Sequence, residues 1–510
     1  MSQYFVGIDS GTTGIKAVLF DLQGQELSQC GLPLTASCPT EDRYEEDPLE
    51  IWEKCQQCVK TVTSSVDRDE VIGMGITAQG DGLWLFDEGM NPVRPGICFC
   101  DGRAANIVER WESDGTVRRL FDITGTWLCV GNQNGIVKWM DENDPDALKQ
   151  ARWFMHLKDY LFWCLTGQIT TDASDQSLVF LNQNSRAYLP ETFELCGISQ
   201  YAEKWPPVFT ASENAFTIRP ELAKTLSVSN ECVITSGPMD VAACALGAGV
   251  VEAGQCCSIM GTAALHEMVV DKPLDDTVQA GMTVAHAPKD RWLRLMASYA
   301  GAPNTDWAIR TLAGGLVMQA EQNEEDIFSI VEKELSEVPV GSNGVMYHPY
   351  LLSGGERAPF SAPHARASYT GISSRNTIAD ILHATYEGVA LAMLDCYRHM
   401  PREIASVTLC GGGAKSAFWC QMFADALGQE VGRVHGNELG ALGVVINNAV
   451  VQGFYPSYVD AVEAIVRPAG TYVPNAENHK RYEQLYELYQ VTYKALRESW
   501  SLRAELFGGQ

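Results

Sequence analysis

Positive charge is what this sequence has least of. Lysine and arginine number 37 against 64 aspartates and glutamates, a net charge of -27 over 510 residues. A field of that sign repels phosphate backbones and anionic bilayers, and no stripe of clustered Lys and Arg offsets it locally. Nucleic acid and membranes are therefore not expected partners. No run of 18 apolar residues occurs either, so no membrane-spanning helix is expected. A zinc framework is missing too: Cys55 and Cys58 have ligand-like spacing, but no second pair matches them. They fall in a stretch that predicts a helix near 48–65, with Asp47 as N-cap and Pro48 at the first position. Met1-Ser2-Gln3 leads into a strand with no charged, apolar leader, so the 16 cysteines are expected as reduced thiols in a cytoplasmic protein. Cys256-Cys257 reads as strand packing.

What is present suits a large soluble enzyme. Hydrophobic residues make up 46% and charged residues 20%, and the length exceeds what one core supports, so two domains are expected. Strands are predicted near 4–8, 16–21 and 71–77, with a second helix near 145–165. The pattern restarts with strands near 255–260, 264–270 and 292–297 and helices near 304–313, 377–398 and 415–427, a mixed α/β order occurring twice. Ile259-Met260-Gly261-Thr262-Ala263-Ala264 also echoes Ile8-Asp9-Ser10-Gly11-Thr12-Thr13, a Gly-Thr turn between two strands in each case. The expected division is 1–246 and 247–510. Apolar spacing in Tyr482–Tyr493 predicts a helix packed on the body, its tyrosines serving as core and rim.

Two such turns, one from each half, could grip one anionic ligand between them, because backbone amides and small side chains form concavities for phosphate. The first adds Thr12, Thr13 and the cation Lys16, while Asp9 offers a carboxylate suited to Mg²⁺. A nucleotide triphosphate with its metal needs both features. The alternative is a decorated hairpin whose Asp and Thr satisfy their own backbone. A third cluster, Leu409-Cys410-Gly411-Gly412-Gly413-Ala414-Lys415-Ser416, joins a strand to a helix, where a flat group can lie against the backbone; a tight packing turn is its plainer reading.

On these residues the chain resembles the FGGY carbohydrate kinases, which share a two-domain α/β fold, actin-like and ribonuclease-H-like, with an interdomain cleft. The Asp9-to-Thr13 opening marks only the superfamily. The family is carried by Tyr369-Thr370-Gly371-Ile372 followed by Asp380–Glu387, and by Gly411–Ser416 with Trp419. Asn134–Trp139 and Asp159–Gly167 resemble family segments as well, and the likeness runs from Tyr4 to Val444. It implies ATP and Mg²⁺ as cofactors. Gly11, Thr12, Thr13 and Lys16 would hold the β/γ-phosphates from one side and Gly261 and Thr262 from the other. Asp9 would lie near the metal, and Gly412, Gly413 and Ser416 would border the adenosine.

Phosphoryl transfer to an alcohol needs a carboxylate to accept the hydroxyl proton. Asp240 matches the family's catalytic aspartate, although an Asp capping the helix that starts at Val241 is the structural alternative. The resemblance places the substrate loops at Gln79-Gly80-Asp81 and Asp101-Gly102-Arg103. Glycerol-type relatives carry Gln-Arg-Glu and xylulose kinases Gln-Met-His at the first loop. Gln-Gly-Asp-Gly looks closest to the L-xylulose and erythritol branch, while Asp-Gly-Arg resembles the xylulose type. An ion pair with Asp101 is the simpler explanation of Arg103, and Trp84 is either pocket wall or core. With no arginine cluster for an anionic sugar, the expected acceptor is a primary hydroxyl of a small neutral sugar or polyol. A ketopentose of the xylulose type comes first and erythritol next. An actin-like ATPase or a catalytically silent sugar sensor stands as the reading from another class. A homodimer is the oligomeric expectation.

Overall fold

A computed structural model of the protein describes residues 3–40, 42–273, 278–352 and 354–507. Met1 and Ser2, the expected lead-in, lie outside the described residues. The first half builds a six-stranded sheet from β1 (Tyr4–Ser10), β2 (Gly14–Asp21), β3 (Glu26–Pro33), β4 (Val71–Ala78), β5 (Ala215–Thr217) and β6 (Val233–Ser236), in the order β5-β6-β4-β1-β2-β3. Strand β2 runs antiparallel to both β1 and β3, whereas β1, β4 and β6 are parallel.

Helix α1 (Pro48–Thr63) starts as expected, the Asp47 carboxylate accepting the Leu49 N–H at 2.9 Å. Cys55 and Cys58 lie on its buried face, in the core. The single helix expected near 145–165 is two, Pro145–Gln150 and α2 (Leu157–Thr166). Between them Trp153–Met155 pairs antiparallel with Trp84–Phe86. That long-range pairing of aromatic residues overrides local helical spacing, and it places Trp84 fully in the core. Helix α3 (Asp240–Gly247) leads into the second half.

The second sheet has seven strands: β7 (Gln255–Met260), β8 (Ala264–Val270), β9 (Met282–Ala285), β10 (Trp292–Ser298), β11 (Ser406–Cys410), β12 (Val431–Val434) and β13 (Pro468–Tyr472). Their order is β9-β10-β8-β7-β11-β12-β13. Here β10, β8 and β7 are antiparallel and β7, β11 and β12 parallel, which repeats the pattern of the first sheet. The two Gly-Thr turns thus sit at equivalent places, β1 to β2 and β7 to β8.

Eight helices are described in the second half, the expected one near 304–313 being Pro303–Leu312, and four of the eight bear on the site and its packing. In α4 (Ile378–Arg398), Thr377 and Asp380 form a reciprocal capping box, the Thr377 N–H donating to Asp380 at 2.7 Å. Helix α5 (Ala417–Leu427) begins at Ser416, whose Oγ accepts the Trp419 N–H at 2.9 Å. Helix α6 (Leu439–Val451) is buried on every side from Leu439 to Ala449 and is apolar there apart from Asn447 and Asn448. Although it belongs to the second half of the sequence, it packs on β1 and β4 of the first sheet and across α3. Glycine permits this. A Cβ on Gly75 would lie 2.4 Å from the Val444 carbonyl oxygen, and one on Gly443 1.9 Å from that of Ala243. At the sheet, the Asn448 side-chain amide donates to the carbonyls of Met74 and Val233, both at 3.0 Å. Helix α7 (Ala476–Phe507) packs on α4 and α5 with Tyr482, Tyr486, Tyr489, Tyr493 and Trp500 buried. The Tyr486 hydroxyl donates to Asp395 at 2.7 Å.

Candidate active site

A cavity of about 690 Å³ opens between the two sheets. Its wall collects Asp9 from β1, Lys16 from β2, Asp81 just beyond β4, Asp240 from α3, Gly261 and Thr262 from the second turn, and Gly412 after β11. Seven of the residues singled out in the sequence, spread over 400 positions of chain, therefore share one space.

The first turn closes with the Gly11 N–H donating to the Gly14 carbonyl at 3.0 Å. Among the described residues the Thr12 and Thr13 hydroxyls have no protein partner. In the second turn the Gly261 N–H donates to the Ala263 carbonyl at 3.2 Å. The third turn divides. Gly411, Gly412, Ala414 and Lys415 line the cavity, and a Cβ on Gly412 would meet nothing within 4 Å. Gly413 instead packs on Met260 and the Trp419 ring, and Ser416 is occupied in capping α5.

The carboxyls are the chemical core of the site. Burial raises Asp9 to about 7, with Cys244 and Glu438 adding to the rise and Lys16 opposing it. Burial likewise raises Asp240 to about 7, reinforced by the charge of Asp9. Asp81 also rises to about 7 through burial, against a hydrogen bond from the Asn132 side-chain amide at 2.7 Å. Its backbone holds φ 58°, a left-handed conformation that aspartate tolerates better than most residues. Such strained residues gather where a ligand is gripped.

Asp240 does not cap α3; it is the first residue of the helix, and its carboxylate accepts only the N–H of its neighbour Val241, at 2.8 Å. The loop before it is pinned from three directions. Thr77 Oγ1 donates to the Pro238 carbonyl at 2.8 Å, Lys158 Nζ to that of Gly237 at 2.5 Å, and the Met239 N–H to Ser174 Oγ at 2.7 Å. Lys158 is itself fully buried between Asp172 and Asp175, at 3.3 and 2.9 Å. These contacts fix where the Asp240 carboxylate points.

Three expected substrate contacts lie elsewhere. Asp101 and Arg103 do not line the cavity. They form a buried ion pair, Arg103 Nε to Asp101 Oδ1 at 2.7 Å, extended by Arg103 Nη2 to Glu45 at 2.6 Å. The Tyr44 N–H takes a further lone pair of Asp101 at 2.7 Å, so little of that carboxylate is left for a ligand. Gln79 is buried with its amide nitrogen donating to Glu46 at 2.8 Å.

Other residues reach the cavity unannounced by any motif. Phe99, Met239 and Arg357 line it near Asp81, and Arg433 and Glu438 line it near Lys16. Glu438 holds Lys16 at 2.8 Å. The signal for Glu438 was the small-residue run Leu439–Gly443 that follows it, a counterpart of Ala242–Gly249.

Among the described residues, no group of three or more His, Cys, Asp or Glu side chains is arranged to hold a metal ion by itself. Asp9 nevertheless has no hydrogen-bond donor on its carboxyl among the described residues, and Asp240 has one. Two such hard oxygen donors suit Mg²⁺, which takes one or two carboxylates together with substrate phosphates.

The model of the N-terminal domain of the FGGY family of carbohydrate kinases matches residues 4–247, and that of its C-terminal domain residues 256–451. The chain belongs to the FGGY family of carbohydrate kinases. It is a phosphotransferase acting on a sugar or polyol. The kinase is 28% identical to an erythritol kinase of Brucella abortus, over 97% of this chain and 96% of that protein. It is 27% identical to an L-xylulose/3-keto-L-gulonate kinase of Escherichia coli, over 98% of each. Its fold, two actin-like domains of the ribonuclease-H type, matches the xylulose kinase structure from Lactobacillus acidophilus with a TM-score of 0.90 at 22% identity, covering 98% of this chain and 99% of that one. No helix among the described residues is long and apolar enough to cross a membrane.

Proposed function

We propose that this kinase transfers the γ-phosphoryl group of ATP to a primary hydroxyl of a small neutral sugar, a ketopentose of the xylulose type, with erythritol or another polyol as the second candidate. The observation that carries this reading is the convergence of Asp9, Lys16, Asp81 and Asp240 with Gly261 and Thr262 of the second turn on one cavity. Residues 1–246 would supply the sugar side and the first phosphate turn, and 247–510 the nucleotide side.

Asp81, oriented by Asn132, accepts hydrogen bonds from sugar hydroxyls. Asp240 accepts the proton of the attacking hydroxyl, a role for which a carboxyl near neutrality is well matched. Backbone N–H groups of the two turns, the Thr12, Thr13 and Thr262 hydroxyls and Lys16 hold the β/γ-phosphates, while Gly412 leaves room for the adenosine. Asp9 would hold Mg²⁺, which neutralises charge on the phosphates when bound. Lys16 must exchange Glu438 for phosphate, so nucleotide binding is coupled to a contact between the two halves.

Support for the substrate class comes from the wall near Asp81, where carboxylate and apolar groups outnumber cations. The relatives named for erythritol and L-xylulose are alike in identity, so their names do not rank the two substrates. A coupled assay of ADP release over pentuloses and tetritols tests the reading. Strong stimulation by one of them is expected. Sugar-independent turnover would instead favour an actin-like ATPase, and binding without turnover a silent sensor.

A further inference from the structure

Three cysteines from three elements meet at the cavity wall. Cys410, the last residue of β11, has its sulfur 3.7 Å from that of Cys244 on α3 and 3.5 Å from that of Cys257 on β7. Cys244 and Cys410 both line the cavity, and Cys244 is partly exposed there. The trio joins the helix that begins at Asp240 to the strand that leads into Gly411 and Gly412. No step of the phosphoryl transfer uses it.

The register discriminates between the two pairs. In the parallel pairing of β7 with β11, Cys257 lies opposite Thr408, two residues short of Cys410. Strand spacing and rise then put the Cα atoms of Cys257 and Cys410 about 8 Å apart, beyond the roughly 7 Å that a disulfide spans without backbone movement. Cys244 is on a helix and is free of that constraint.

We propose that Cys410 and Cys244 form a reversible oxidation site, joined as a disulfide by a small hydroperoxide that enters through the cavity. Cys410 sulfur attacks one peroxide oxygen; the S–O bond forms, the O–O bond breaks, and the departing alkoxide or hydroxide takes the thiol proton. Cys244 sulfur then displaces the oxygen from Cys410, which leaves as water with the Cys244 proton. Two thiols and one hydroperoxide give one disulfide, one alcohol or water from the peroxide, and one water. Sulfur loses two electrons and the peroxide gains them. Hydrogen bonds from Cys244 and Cys257 draw the Cys410 thiol below its ordinary value, which suits it to the first step. The nearby Glu267, itself raised well above its ordinary range by burial, opposes that shift without reversing it. The link pins the Asp240 helix to the adenosine-side turn and so holds the two halves in one relation.

The full-length protein, free of nucleotide, is treated with hydrogen peroxide, its remaining thiols are alkylated, and its peptides are analysed by mass spectrometry before and after dithiothreitol. A Cys244–Cys410 linked peptide that dithiothreitol removes is expected, formed more slowly when ATP is present. Turnover should fall at least tenfold with the link and return on reduction. Cys244→Ser and Cys410→Ser should each keep their own untreated turnover after peroxide, while Cys257→Ser should still form the link. Absence of the linked peptide while the exposed Cys38 and Cys100 are oxidised would overturn the proposal, as would a Cys257–Cys410 link or equal inactivation of both serine variants. The linked peptide is read without any kinase assay, so its absence is distinct from failure of the kinase reading.

Discussion

Asparagine in place of Asp240 separates chemistry from architecture. The amide oxygen can still accept the Val241 N–H, so α3 keeps its first contact, but the proton acceptor is gone. Loss of a general base lowers turnover by about 10²- to 10⁴-fold, or roughly 2.7–5.4 kcal/mol of barrier. Stability should move the other way. The folded-state carboxyl titrates at about 7 against an ordinary 3.8, so it binds its proton more tightly in the folded chain. Below about pH 4 both states are protonated and nothing is lost; above pH 7 both are ionised and the folded state carries the full penalty, on the order of a few kcal/mol for so large a shift. Asp240→Asn should therefore melt higher than wild type at pH 8 and nearly with it at pH 4. Wild-type turnover should fall as pH drops below 7, to roughly a tenth at pH 6 if this carboxyl alone decides it. Saturating-substrate turnover and thermal melts at three pH values make the test. A folded variant retaining more than about a tenth of wild-type turnover would remove Asp240 from proton transfer. A variant melting below wild type at pH 8 would refute the electrostatic argument.

Gly412→Val should leave Tm unchanged, since its Cβ meets nothing within 4 Å, yet raise KM for ATP on the order of tenfold by filling nucleotide space; a raised KM for sugar instead would misplace the turn. Arg103→Ala strands the buried Asp101 without its cation, although Glu45 keeps Arg94, and should cost about 3–5 kcal/mol, visible in denaturant unfolding, with KM for sugar little changed. A stable variant with weak sugar affinity would return Arg103 to the substrate site. Gly443→Ala forces α3 and α6 apart and should cost about 1–3 kcal/mol; calorimetry showing no loss would contradict the close crossing.

The two strand-to-strand breaks were legible because turn chemistry is local. A strand that breaks into Gly-Thr-Thr and resumes has few structural purposes, and finding the break twice implied two equivalent sheets. Asp47 announced a helix start for the same local reason. What escaped was set at long range. The pairing of Trp153–Met155 with Trp84–Phe86 split a stretch whose spacing looked helical. Asn132 reaches Asp81, and Arg357 the cavity wall, by tertiary approach, with no pattern around them to say so. Asp101 and Arg103 matched a substrate loop in type and spacing, but their opposite charges found each other, as two residues so placed readily do.

Helix α6 sets a schedule for synthesis. Strands β1 and β4 emerge from the ribosome early, but the apolar helix that covers them ends at Val451, about 200 residues after α3. At about 5–20 residues per second the first sheet waits roughly ten to forty seconds with one face uncovered. Over that interval the nascent chain presents glycine-lined, β-rich surface to whatever else is in solution. A chaperone that shields residues 1–246 until the later helix arrives would raise the yield of folded enzyme, and slowing translation after α3 would lower it.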